Sequence, residues 1–132
     1  NNLLLGSCLC GVVRYQTPLR PVSISHCHCS QCRKHHGAAY ASFCNVLRED
    51  LELTHGAENL KSFESSPSVS RQFCGECGSS LFWSTSQGQY ADWISIAVGT
   101  LDTPIHCDKQ KHICVASKAG WHEITDPWPQ HR

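Results

Sequence analysis

Along most of this chain apolar and polar residues alternate in short runs, and clusters of Gly, Pro, Ser and Asn separate the runs. A period of two sends successive side chains to opposite faces, so such runs read as half-buried strands. Leu51-Glu52-Leu53-Thr54 alternates before His55-Gly56, Val69-Ser70-Arg71-Gln72-Phe73 alternates and delivers Cys74, and Ile94-Ser95-Ile96-Ala97-Val98 alternates up to Gly99. Val12-Val13-Arg14-Tyr15, Ala39-Tyr40-Ala41-Ser42-Phe43 and Ser80-Leu81-Phe82-Trp83 are further strand candidates, and a turn is expected at Ser65-Ser66-Pro67. Helical periodicity is absent over any long stretch. One short helix is predicted from Ser30 to His36, ended by Gly37, a residue suited to a helix C-terminus. From Lys118 onward the chain is rich in Trp and Pro without a period, and is expected to pack over the sheet or fray. The pattern predicts a mainly β, antiparallel fold with little helix. No repeat or linker interrupts it, and residues 1–132 read as a single domain, long enough to bury one core.

Charge narrows the partners. Eleven Lys and Arg balance eleven Asp and Glu, so there is no basic field to draw the chain onto nucleic acid or an anionic membrane. No apolar run approaches the roughly 20 residues of a membrane helix, and Asn1-Asn2-Leu3-Leu4-Leu5 is too short for a signal-peptide core. The chain reads as soluble, and its oligomeric state is not legible.

The ten cysteines change the picture. In an oxidising compartment they would allow a disulfide framework, but cysteines two or three residues apart are poor partners for each other and good metal chelators. Metal binding by reduced thiolates is therefore preferred, which implies a cytoplasmic setting. Cys8-Leu9-Cys10-Gly11 and Cys74-Gly75-Glu76-Cys77-Gly78 are each a knuckle, with glycines at Gly11, Gly75 and Gly78 for the tight turn. Structural zinc wants four ligands in a tetrahedron, so each pair needs the other: Cys8, Cys10, Cys74 and Cys77 form one expected site. A thioredoxin-like redox role for Cys74 and Cys77 is disfavoured, because a strand pattern and not a helix follows them. Cys27, Cys29 and Cys32 form the second group, with C-x-C-x-x-C spacing. Three thiolates and an exchangeable fourth position suit a catalytic zinc, labile by comparison with the first; the alternative is a closed site with its fourth ligand from His26, His28, His35, His36 or Cys44. An open position on a sulfur-bound zinc favours an incoming thiol.

Gly6-Ser7-Cys8-Leu9-Cys10-Gly11-Val12-Val13-Arg14-Tyr15, Cys27-His28-Cys29-Ser30-Gln31-Cys32-Arg33 and Arg71-Gln72-Phe73-Cys74-Gly75-Glu76-Cys77-Gly78-Ser79, followed by Ile96-Ala97-Val98-Gly99-Thr100-Leu101-Asp102 and Ser117-Lys118-Ala119-Gly120-Trp121, resemble the glutathione-dependent formaldehyde-activating enzyme family, also named after centromere protein V. The resemblance runs in order over nearly the whole chain. It implies an Mss4-like antiparallel β fold with two zinc ions per chain. Their ligands would be Cys8, Cys10, Cys74 and Cys77 in the structural site, and Cys27, Cys29 and Cys32 in the active site. Members of that family are carbon–sulfur lyases that join glutathione to formaldehyde as S-hydroxymethylglutathione, or run the step backwards. The expected activity is thus a zinc-dependent carbon–sulfur lyase acting on an adduct of glutathione, or a related thiol, with formaldehyde or another small aldehyde. The alternative is a zinc-bearing thiol-binding or carrier module without turnover; a zinc-ribbon adaptor is disfavoured by the zero net charge.

His35 and His36 are candidates to trade protons with a hemithioacetal oxygen, against the plainer reading as solvated surface histidines. Arg33 and Lys34 are candidates to receive a carboxylate of the thiol substrate or to balance the thiolates. Trp83, Trp93 and Trp121 are expected in the core, and Cys44, Cys107 and Cys114 as buried small apolar residues.

Overall fold

The alternation read along the chain becomes two sheets in the computed structural model, which describes residues 2–132. The strands are β1 (Leu3–Ser7), β2 (Arg14–Pro18), β3 (Ile24–Cys27), β4 (Ala41–Leu47), β5 (Glu52–His55), β6 (Leu60–Ser66), β7 (Val69–Cys74), β8 (Ser80–Thr85), β9 (Trp93–Ala97) and β10 (Gln110–Ile113). A three-stranded sheet has the order β1-β2-β5, and a seven-stranded sheet the order β10-β3-β4-β9-β8-β7-β6. Every pairing is antiparallel except β10 on β3, which is parallel. The fold is mainly β, with the single seven-residue helix α1 (Ser30–His36) and a few three-residue helical turns. Gly37 caps α1 in the left-handed conformation, φ 61°, and returns its N–H to the Arg33 carbonyl.

Strands β1, β3, β6 and β10 lack a clear alternating signature; β1 opens on the unbroken apolar run Leu3-Leu4-Leu5. β6 is largely exposed and sits at the sheet edge, where one face need not be apolar. β3 and β10 are four residues long, too short to display a period. The reversal expected at Ser65-Ser66-Pro67 falls at Pro67-Ser68, with Ser68 at a positive φ of 71°. The tail does not fray: His112 donates its amide to Pro129 and His131 donates to His112, so the C-terminus lines the outer edge of β10.

Period-two alternation divides the seven-stranded sheet into two working faces. Cys44, Val46, Phe82, Ile94 and Ile96 point to one side and meet Val13, just before β2, and Tyr15 of β2 in the main core. Tyr15 packs edge-on against Phe82, ring centroids 5.1 Å apart, and its hydroxyl reaches the Thr100 hydroxyl at 2.6 Å. Full burial of each such side chain stabilises the fold by about 1.5–3 kcal/mol relative to exposure. The other face carries Phe43, Asn45, Trp83 and Ser95, and it floors a cavity. None of the three tryptophans expected in the core is fully buried. Trp93 opens β9 on the side opposite Ile94 and is 38% exposed, Trp83 is half-buried in the cavity wall, and Trp121 is 75% exposed in the tail.

Gly56, at φ 75°, lies so close to the Val12 carbonyl that any Cβ would overlap it, whereas Gly37 has open space around it and only its φ to satisfy. Gly56→Ala is expected to cost more than about 2 kcal/mol in urea unfolding, and Gly37→Ala about 1 kcal/mol. Equal losses would contradict the close β2–β5 approach as the source of the difference.

Candidate active site and metal centres

The first cysteine group is built by two turns of one design. After β1, the Gly11 amide donates to the Cys8 carbonyl at 3.0 Å and the Val13 amide to Cys8 Sγ at 3.3 Å. After β7, the Gly78 amide donates to the Cys74 carbonyl at 2.8 Å, while the Glu76 and Cys77 amides donate to Cys74 Sγ at 3.3 and 3.4 Å. Gly11 and Gly78 take φ 80° and 83°, which a side chain would resist. The Leu9 amide donates to Ser79 Oγ at 2.9 Å, tying the turns together. The Sγ atoms of Cys8, Cys10, Cys74 and Cys77 lie within 4.8 Å of one another, Cys8 to Cys10 at 3.6 Å and Cys10 to Cys74 at 3.9 Å. Crowding forces the protons to be shared unevenly. The Ser79 hydroxyl and neighbouring amides lower Cys77 to about 5. Cys10 rises to about 12, a backbone hydrogen bond from Val12 being outweighed by desolvation and the adjoining sulfurs. Four soft donors that repel one another when ionised fit a cation such as zinc, whose charge would let all four ionise.

The second group depends on α1. Cys27 ends β3, Cys29 is the N-cap residue whose Sγ accepts the Cys32 amide at 3.3 Å, and Cys32 lies buried in the first turn. Their three Sγ atoms also lie within 4.8 Å of one another, and among the described residues no fourth His, Cys, Asp or Glu joins them at that separation. Arg71 completes the surroundings. It is 3% exposed, with Nη1 donating to Cys32 Sγ at 3.4 Å, Nε to Ser65 Oγ at 2.9 Å and Nη2 to Gln31 Oε1 at 3.4 Å. Cys32 is lowered to about 6 by the hydrogen bond from Cys27 and, against the cost of burial, by Arg71. Cys27 is correspondingly pushed far up by its bond to Cys32 and by burial. The group favours a thiolate at Cys32 and has the soft donors zinc prefers.

The residues weighed as fourth ligands lie elsewhere. Strand alternation points Cys27 to the cavity face and His26 to the other, where its ring reaches Ser42 Oγ and Gln110 Oε1, each at 2.7 Å. His28 is fully buried, its Nε2 2.8 Å from His112 Nδ1, and His112 Nε2 is 3.0 Å from Asp126 of the tail. Burial and the neighbouring His112 lower His28 to about 4. Cys44 belongs to the main core, where burial raises it to about 11.

The cavity against the second group has a volume of about 460 Å³. Its floor follows the register of the sheet: Lys111, Ser25 and Phe43 form one row, and Asn45, Ser95, Trp83 and Arg71 another. None of Arg33, Lys34, His35 and His36 lines it. A helix turns about 100° per residue, so Arg33 and Lys34 rotate away from the side of Cys32. His35 and His36 return to that side one turn further on, where they pack against Phe73 and Phe43. Neither is a solvated surface histidine: both are half-buried, and burial lowers them, His36 to about 4. The cations at the cavity are Arg71 and Lys111. Arg71 had one legible signal, a charged residue on the same face of its alternating strand as Val69 and Phe73; Lys111 had none. Cys114 also lines the cavity and takes a left-handed φ of 57°, so it is not the buried apolar filler expected of it. Cys107 is half-buried, its thiol donating to the Val22 and Lys109 carbonyls at 3.2 Å.

Residues 3–117 match the sequence profile of the glutathione-dependent formaldehyde-activating enzyme family, and the chain belongs to that family. A Halomonas elongata protein carrying the provisional name glutathione-dependent formaldehyde-activating enzyme is 28% identical over 130 residues, covering 92% of this chain and 81% of that protein. A Schizosaccharomyces pombe protein named an uncharacterised lyase is 26% identical over 84 residues, covering 64% of this chain and 59% of its own length. A crystal structure of a Rhodobacter sphaeroides protein matches 76% of this chain and 90% of its own, at 24% identity and a TM-score of 0.62, which supports the fold.

Zinc analysis of purified protein is expected to give about two ions per chain, with the second lost first to a chelator. Cys74→Ser should lower stability by about 3 kcal/mol or more, because it leaves a structural group one ligand short. Cys29→Ser, which keeps an N-cap acceptor, should stay within about 1 kcal/mol of the parent. The reverse ranking in denaturant would overturn the division of labour.

A pH dependence also follows. Between about 6.5, the ordinary histidine value, and about 4, where folded His36 titrates, the unfolded chain binds a proton that the folded chain refuses. Stability should therefore fall as pH drops through that window. His36→Phe should flatten the dependence; an unchanged slope would show that His36 does not contribute.

Proposed function

We propose that this protein is a zinc-dependent carbon–sulfur lyase acting on an adduct of glutathione, or a related thiol, with formaldehyde or another small aldehyde. The observation that carries the reading is the three-sulfur group of Cys27, Cys29 and Cys32, open to a 460 Å³ cavity beside the buried Arg71 guanidinium. Family membership supplies the substrate class. Zinc held by those three sulfurs would act as a Lewis acid that keeps a substrate sulfur in its thiolate form near neutral pH.

The chain's own residues do the rest. Lys111 would receive a carboxylate of an anionic thiol, and Arg71, its three guanidinium nitrogens bonded to Ser65, Cys32 and Gln31, adds positive charge next to the sulfurs. In the cleavage direction the hydroxyl proton leaves to water, the C–O bond becomes a carbonyl, and the C–S electron pair goes to sulfur, where the cationic surroundings stabilise it. Cys8, Cys10, Cys74 and Cys77 would hold a structural zinc. Thiolates of this kind require a reducing compartment, in keeping with the cytoplasm. No helix of the described residues is long and apolar enough to cross a membrane. One observation favours the carrier reading: among the described residues no imidazole or carboxylate lines the cavity to act as general acid or base.

Turnover separates the two. Zinc-loaded protein should accelerate the decomposition of S-hydroxymethylglutathione, and Cys29→Ser should abolish that activity while the far-ultraviolet spectrum stays the same. Arg71→Ala should cost about 10–100-fold in kcat/KM, with Arg71→Lys in between. Glutathione should perturb the spectrum of the cobalt-substituted protein. Perturbation without turnover would establish the carrier, and no response to any thiol would sink both readings.

A further inference from the structure

The cavity offers more apolar surface than a formaldehyde adduct can use. Four aromatic side chains face it: Phe43 from β4, Trp83 from β8, Trp93 from β9, and Tyr90 just before β9. Trp93 is 38% exposed and Tyr90 51%, although both lie beside a sheet with a well-filled core. Large aromatic surface left open in a concave site is what ligand pockets present to an apolar group. Formaldehyde contributes one carbon and one oxygen, which cannot cover it. The polar half of the cavity is accounted for separately. Its charged residues are Arg71 and Lys111, with no Asp or Glu among the described residues, a set suited to the anionic part of a thiol and not to the aromatic wall.

We infer that the natural ligand is a thiol adduct whose sulfur-bound carbon carries an aromatic ring, and that this ring rests against Trp83 and Trp93. The inference builds on the thiol-adduct reading above and specifies the carbonyl half. Register supports the arrangement. Trp83 pairs with Ser95 across β8–β9, and Trp93 lies two residues earlier on the same face of β9, so both indoles border one patch of floor. Arg71 pairs with Trp83 on the other side, which places the cation and the Cys32 sulfur next to the aromatic patch. An aryl group bound there gains ring–ring contact and leaves water. In cleavage the same bonds change as for the small adduct: the hydroxyl proton goes to water, the C–S pair to sulfur, and the carbonyl product is an aryl aldehyde.

The test uses two stable thioethers that need no turnover, S-benzylglutathione and S-methylglutathione, titrated into the zinc-loaded protein by calorimetry and tryptophan fluorescence. S-benzylglutathione is expected to bind about 10–100-fold more tightly. Trp93→Ala should remove most of that advantage and Trp93→Phe should restore it; Trp83→Ala, checked for folding by circular dichroism, should act in the same direction. Equal affinities, or an advantage that survives both alanine changes in folded protein, would overturn the inference and assign the aromatic wall to the thiol. Failure of both thioethers to bind while glutathione still perturbs the cobalt-substituted protein would overturn the inference alone, and failure of the thioethers and of every thiol would overturn it together with the thiol-adduct reading. Tight binding of S-benzylglutathione by a protein that turns over neither S-hydroxymethylglutathione nor the glutathione hemithioacetal of benzaldehyde would keep the ligand class and remove the lyase.

Discussion

Four cysteine sulfurs within 4.8 Å of one another are the constraint on which the architecture turns. Ionised together they repel, and protonated together they form only weak hydrogen bonds, so a soft cation is the natural resolution. Two come from the turn after β1 and two from the turn after β7, so the group joins the three-stranded sheet to the seven-stranded one. The Leu9–Ser79 bond and the Tyr15–Phe82 contact repeat the connection at the surface and in the core. With the smaller sheet held on one face, the opposite face of the large sheet stays free to bear a cavity.

Two cysteine groups of similar composition thereby carry different burdens. The first is clamped from both sides by backbone amides that β-turns aim at the sulfurs. The second is held by a single helical turn and by one guanidinium, and it faces a space large enough for a ligand. The first group has four sulfurs to surround an ion, while the second has three and an adjoining cavity.

The second group is also steadied from behind. His28, between Cys27 and Cys29, turns its ring away from the cavity onto His112, which reaches Asp126 in the C-terminal tail. Tyr40 packs on both rings. A tail without periodic pattern therefore fixes the orientation of the loop that presents two cysteines, and it does so from the face opposite the site.

The sequence by itself determined the strands whose one face is buried, the helix from Ser30 to His36 with its glycine cap, and the membership of both cysteine groups. These are short-range properties: a period of two, a left-handed residue at a helix end, and sulfurs two or three positions apart. Only the tertiary structure decided which side chains accompany the sulfurs. Arg33, Lys34, His35 and His36 are neighbours of Cys32 along the chain but are carried off by the helix, whereas Arg71 arrives from a strand about forty residues on. The same holds for His26 and His28, which alternation and a loop bend send to the far face. Proximity in sequence fixes a ligand set when the spacing closes within one turn. The chemistry around it is set by which strands lie side by side, and that pairing is settled by packing over the whole sheet.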